Sequence, residues 1–208
     1  MKILYIDTSS NYLYTGISAD NKLIIETKVN YGHDLSKYTL PEIEKMFNNV
    51  SLTPNDIDKI IVVSGPGSFT GIRIGMTFAK IFAWSLKKKI TTITSLEAMS
   101  ASINETKLIV PIIDARRGYV YAGIYQNGKK ILTEQYIKQT DLINYLNELN
   151  QEYLFVVNKG EFNFLNQIEY EPNILKIIEA YQDKENINPH LVEPTYLKLT
   201  EAEENRNE

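Results

Sequence analysis

The 208-residue chain has no cysteine. That removes a disulfide framework, a thiol nucleophile and a thiolate metal site together. Histidine is almost as scarce, with only His33 and His190, far apart in sequence. Ser68 and Thr70 therefore have no evident base to activate them, which argues against hydrolysis by a serine or threonine nucleophile. No apolar run is long enough to span a bilayer, because Lys80 interrupts the stretch around Trp84 and Lys87-Lys88-Lys89 closes it. The start lacks a basic region followed by a long apolar one, so no signal peptide and no membrane attachment are expected, and the expected compartment is the cytoplasm. Positive charge is also in deficit: 22 Lys and Arg against 26 Asp and Glu give a net charge of -4. A dedicated nucleic-acid surface is not expected, and the lysine triplet reads as a complement to a helix C-terminus.

What the chain does have is concentrated between Ile60 and Leu86. Ile60 to Val63 is a β-branched run suited to a strand buried on both faces. Gly65-Pro66-Gly67 makes a turn, and Ser68 or Thr70 offers an N-cap oxygen to the helix that follows. A glycine-lined turn at a helix start can hold an anion, here Gly65, Gly67 and Ser68. The named phosphate-loop patterns fail, however: Ile72 follows Gly71 where a lysine belongs, and Thr70 stands where the dinucleotide fingerprint needs glycine. The favoured reading is a tight turn packed against a neighbouring backbone.

The helix from Thr70 to Leu86 repeats Gly71, Gly75, Ala79 and Ala83 every four residues, one ridge without bulk. Each interior glycine costs about 1 kcal/mol relative to alanine, so a close approach is expected to compensate. The other faces are apolar almost all round, which places the helix in a large core or in an interface. The interface reading takes the ridge as a seat for a partner helix, with Met46, Phe47, Phe78 and Phe82 as anchors. The other reading packs the ridge on the chain's own sheet.

Taken in order, Lys2–Ile6, Leu13–Ala19 and Leu23–Val29 read as strands. Asp34–Val50 reads as a helix that Pro41 should delay or kink. The Ile60 strand and its helix follow, then a strand at Ile90–Ile93 and a helix from Ser95 to about Ile103. Leu108–Ile113, Val120–Tyr125 and Lys129–Leu132 read as strands, the last two joined at Asn127-Gly128. Asp141–Leu149, Leu154–Val157 and Ile174–Tyr181 complete a second, smaller set of helix, strand and helix. The expected class is α/β, with two ribonuclease H-like lobes, 1–104 and 105–200, the second reduced, and an acidic tail at 201–208 that frays.

Several separated segments resemble one family. They are Asp7-Thr8-Ser9-Ser10, the long Gly65-Pro66-Gly67-Ser68-Phe69-Thr70-Gly71-Ile72-Arg73, Thr94-Ser95-Leu96-Glu97-Ala98, Asp114-Ala115-Arg116-Arg117-Gly118 with Val120-Tyr121, and Pro194-Thr195-Tyr196-Leu197-Lys198. Together they are similar to the TsaB family, the non-catalytic subunits of the bacterial tRNA threonylcarbamoyladenosine synthesis machinery. The resemblance implies the actin-like ATPase superfamily fold, in which paired strand-end aspartates face a nucleotide, and it makes Asp7, Thr8, Ser9, Gly65, Gly67 and Ser68 the candidate, vestigial nucleotide-binding residues. It also implies a scaffold that binds TsaD as a heterodimer, meets TsaE through the complex, leaves most of the tRNA to TsaD, and forms a homodimer when alone. The interface it suggests is helices one and two, here Met46, Phe47, Gly71, Gly75, Phe78, Ala79, Phe82 and Ala83.

The segment before Pro41 departs from the family pattern, since Leu35-Ser36-Lys37 stands where His-Ser-Glu is usual and His33 lies two positions early. The chain also lacks the paired histidines that TsaD-like proteins carry on the helix matching Ser95 to Ile103, so no metal and no catalytic residue are expected. ATP or ADP is expected only at the level of the complex or as a vestige. The alternative is an active nucleotide-dependent transferase or small-molecule kinase using Asp7, Asp114 and the Gly65 turn.

Overall fold

The computed structural model describes residues 1–198, so the tail expected to fray at 201–208 lies outside the described residues. The first sheet is built from β1 (Lys2–Asp7), β2 (Tyr12–Ala19), β3 (Lys22–Asn30), β4 (Lys59–Val63) and β5 (Lys89–Ile93), in the order β3-β2-β1-β4-β5. β1 runs antiparallel to β2 and parallel to β4. The second sheet comprises β6 (Leu108–Asp114), β7 (Tyr119–Gln126), β8 (Lys129–Lys138), β9 (Tyr153–Val157) and β10 (Gln167–Glu169), in the order β10-β9-β6-β7-β8. Both sheets thus repeat one topology, a three-strand meander extended by two parallel strands, which is the duplicated ribonuclease H-like, actin-like architecture.

Helices separate and cover the sheets. α1 (Leu35–Asn49) and α2 (Phe69–Ser85) pack on one face of the first sheet, where Ile43, Met46, Phe47, Met76, Ala79 and Phe82 meet Leu4, Ile6, Ile60 and Val62. α3 (Ser95–Ala101) is shared between two cores. Its Ala98 joins Ile61 and Val63 of the first sheet, while Leu96 and Met99 join Ile109, Ile113 and Val156 of the second. α4 (Gln139–Leu149) covers the far face of the second sheet through Leu142 and Leu146.

α5 (Ile174–Tyr181) differs from the sequence reading, which placed it in the second lobe. Its Ile174, Ile177 and Ile178 pack against Ile3, Tyr5, Ile61 and Val63 of the first sheet. The near face of the second sheet is already covered by α3, whereas without α5 the first sheet would leave these strand residues open to water. The chain after α5 returns to the first lobe before Leu197 and Lys198 reach the second. The buried Lys59 ammonium donates to the carbonyls of Gln182 and Lys184 at 2.8 and 2.6 Å, and Thr195 N–H donates to Ser64 at 2.8 Å.

α1 runs from Leu35 without interruption, although Pro41 lies inside it. The carbonyl that loses its donor belongs to Lys37, and both residues are exposed, so this carbonyl is open to solvent. β8 extends six residues beyond the expected Leu132, and β10 has no counterpart in the sequence reading.

Candidate functional site

A cleft of about 800 Å³ lies between the lobes, bordered by Asp7, Ser9, Gly67 and Ser68 on one side and by Asp114, Arg116 and Tyr121 on the other. Its position at the ends of β1 and β6 follows from the topology, since in open α/β sheets the strand ends form the crevice. The two aspartates differ in setting. Asp7 is buried and accepts from Ser9 N–H at 2.8 Å and from the Tyr5 hydroxyl at 3.4 Å. Burial outweighs those hydrogen bonds and pushes its pKa up from 3.8. Asp114 is half-exposed and turns back on its own loop, accepting from Arg116 N–H at 2.9 Å and facing the Arg116 guanidinium at 3.6 Å.

The glycine turn is filled by the chain itself. Ser68 N–H donates to the carbonyl of Ser9 at 2.7 Å, and a Cβ placed on Gly67 would overlap that same carbonyl. Thr8 points away behind the wall, its hydroxyl donating to Gly71 at 2.7 Å and accepting from Gly75 N–H at 3.1 Å. Gly65 is buried beneath Ile72 and the Thr195 carbonyl. The Ser68 oxygen caps α2 by accepting from Gly71 N–H at 3.2 Å. One side of the turn is therefore occupied by the Ser9 backbone, and donors at Ser68, Gly71 and Gly75 are already used. The residues do not fit a phosphate cradle. In the matching loop of the second lobe, Arg116, Arg117 and Gly118 take positive φ in succession.

Among the described residues, no cluster of three or more histidine, cysteine, aspartate or glutamate side chains is placed to hold a metal ion. Glu97, the acidic residue of α3, is buried in an ion network across the lobes. It closes a capping box with Thr94 and lies 3.0 Å from both Lys130 of β8 and Lys184 beyond α5. Glu134 of β8 lies 3.1 Å from Lys130, accepts from the Thr94 hydroxyl at 2.6 Å and also accepts from the Tyr125 hydroxyl. Burial alone would raise the Glu97 pKa, but Thr94 N–H, Lys184 and Lys130 together hold it below 4.5. Burial likewise works against charge on Lys130, yet Glu97 and Glu134 keep its pKa above 10.5. Lys130 and Glu134 escape a reading of the sequence, because strand residues carry no sign of what lies across a lobe boundary.

The expected interface ridge requires correction. Gly71, Gly75, Ala79 and Ala83 are buried and face the first sheet, with Gly71 and Gly75 pressed on Thr8. Met46, Phe47 and Phe82 are core residues, and only Phe78 among the expected anchors reaches the surface in part. The ridge serves close packing of helix on strand end. The outer face of α2 carries different residues: Ile81 and Trp84 are 58% and 60% exposed, with Phe78 and Ile74 partly exposed one and two turns earlier. Four apolar residues at helical spacing on a water-facing stripe are the signal that the all-round apolar pattern had given.

A two-lobed actin-like fold with a self-filled phosphate turn is the class of protein that these features define. A family model described as TsaD, tRNA N6-adenosine threonylcarbamoyltransferase, matches residues 31–173. The Bacillus subtilis tRNA threonylcarbamoyladenosine biosynthesis protein TsaB is 34% identical over 221 aligned residues, covering 98% of this chain and 96% of the relative. The TsaB protein of Haemophilus influenzae is 28% identical over 78% of this chain and 79% of its own. The chain belongs to the TsaB family. The fold of YeaZ from Pseudomonas aeruginosa agrees, with a TM-score of 0.73 at 17% identity over 94% of this chain and 99% of that one. Among the described residues, no helix is long and apolar enough to cross a membrane.

Proposed function

We propose that this chain is the non-catalytic subunit of a cytoplasmic tRNA threonylcarbamoyladenosine synthesis complex. It holds TsaD in its active form while TsaD transfers the threonylcarbamoyl group to the adenosine beside the anticodon, with TsaE joining through the complex. The observation that carries the non-catalytic assignment is the Ser68 to Ser9 hydrogen bond, which closes the phosphate turn with the chain's own backbone. The names of the relatives supply the pathway. The exposed stripe Ile74, Phe78, Ile81 and Trp84 is the surface assigned to TsaD, and to a second copy of this chain when TsaD is absent. Calorimetric titration with TsaD tests the pairing: saturable one-to-one association is expected, and no heat change together with separate elution on gel filtration would overturn it.

A second reading, an active nucleotide-dependent transferase or kinase, draws on Asp7 and Asp114 facing one cleft. It requires tight, magnesium-dependent binding of ATP by the isolated chain. The closed turn makes weak or absent binding the expected result.

A further inference from the structure

A surface bordering the cleft mouth plays no part in these roles. Val120, Ala122 and Ile124 of β7 face α4, so Tyr119 and Tyr121 point to the opposite side of the sheet. Tyr136 of β8 pairs with Tyr121 in register and stacks on Tyr119, with ring centroids 4.5 Å apart and planes 7° from parallel. All three rings are half-buried, so each keeps part of its surface in water.

Cations surround this stack. Lys138 lies opposite Tyr119 in the strand register, and the Lys198 ammonium sits 5.4 Å from the Tyr136 ring. The turn just before Tyr119 holds Arg116 and Arg117, two of only four arginines in the chain, both exposed. Among the described residues Arg117, Lys138 and Lys198 form no ion pair, and Arg116 meets only Asp114, at 3.6 Å. A chain of net charge -4 thus gathers local positive charge around a stack of aromatic rings on a strand face. Stacking rings with flanking arginine and lysine match unstacked bases joined by phosphates better than an apolar protein face.

We propose that the Tyr119–Tyr136 stack and the Arg116-Arg117 turn form a contact for single-stranded RNA, of the kind a tRNA loop presents. This rests on the tRNA-modification reading and gives the chain its own hold on the substrate.

The test uses a fluorescently labelled anticodon stem-loop RNA and the full chain, alone and mixed with TsaD, with anisotropy followed from 50 to 200 mM salt. Saturable binding is expected at about 50 mM salt. The R116A/R117A variant should weaken it about tenfold and flatten the log–log salt slope by about 1 to 1.5, as the loss of two phosphate contacts to a single strand requires. Tyr119→Leu, which keeps the apolar bulk, should weaken binding about fivefold or more with the salt slope unchanged. Absence of binding in both settings, or equal binding by wild type and both variants, would overturn the proposal. So would variants that lose TsaD association while RNA binding is untouched, which would assign the surface to a protein. Threonylcarbamoyl transfer assayed in parallel separates the two claims, because transfer that needs the chain but ignores both variants would leave the subunit role standing and remove the RNA contact.

Discussion

Gly71 rests directly on Thr8: the threonine hydroxyl donates to the glycine carbonyl at 2.7 Å, and any Cβ on the glycine would overlap the threonine carbonyl. One helix turn later, Gly75 N–H donates to the same hydroxyl at 3.1 Å. Thr8 is therefore the peg on which α2 is hung against the end of β1.

Replacing Gly75 with alanine tests this packing. A helix interior gains about 1 kcal/mol from the exchange, whereas overpacking typically costs about 1–3 kcal/mol. A Cβ at Gly75 would overlap the Thr8 hydroxyl, so the cost should win and urea denaturation should show net destabilisation. A more stable variant would mean that the ridge does not bear on Thr8.

The outer stripe behaves oppositely. Ile81→Asp and Trp84→Ala alter exposed residues and should change stability by no more than about 0.5 kcal/mol. Each should weaken association with TsaD about tenfold or more, as central apolar anchors do. Unchanged binding by both variants would move the interface off this face of α2.

Asp7 and Glu97 should tilt the acid limb of stability in opposite directions. The folded pKa of Asp7 is raised, so its contribution is fully present below 3.8 and is lost as pH rises through the folded value. Asp7→Asn should therefore make the fold more stable at pH 7, since an amide oxygen can still accept from Ser9 N–H. Thermal melts at pH 7 and pH 3 read this directly, and a lower melting temperature for the variant at pH 7 would contradict it.

For Glu97 the folded pKa is lowered, so its stabilisation is present above 4.5 and is lost as pH falls through the folded value below that. Glu97→Gln keeps the capping oxygen but leaves Lys130 and Lys184 with less compensation. A loss of about 1–3 kcal/mol at pH 7 is expected, less than for a fully buried pair because both lysines are partly exposed. The difference from wild type should shrink below pH 4, measured by denaturant titration at each pH.

The first lobe was legible because its strands are β-branched runs and its turns carry glycine and proline where the backbone needs them. Ile60 to Val63 could hardly be anything else, and the tight-turn reading of Gly65 to Ser68 describes the observed packing. The direction of the Gly71 ridge was not legible. A ridge of small residues looks the same whether it receives a partner helix or, as here, the end of a neighbouring strand. α5 shows the same limit, because the spacing of Ile174, Ile177 and Ile178 states that a face is buried but not against which sheet. The network of Glu97, Lys130 and Glu134 joins residues from different lobes, and only the three-dimensional arrangement brings them together. The exposed stripe was half legible: Ile81 and Trp84 were visible as an apolar excess on α2, without a sign of which face would remain uncovered.

The central claim is that this chain is required for threonylcarbamoyl transfer without performing it. The direct test combines TsaD, TsaE, threonylcarbamoyl-adenylate and unmodified tRNA, with and without this protein, and reads the modified adenosine by mass spectrometry of digested tRNA. Modification only when the chain is added, with no turnover by the chain alone, is the predicted result. Full-rate modification in its absence, or turnover by the chain alone, would contradict the account.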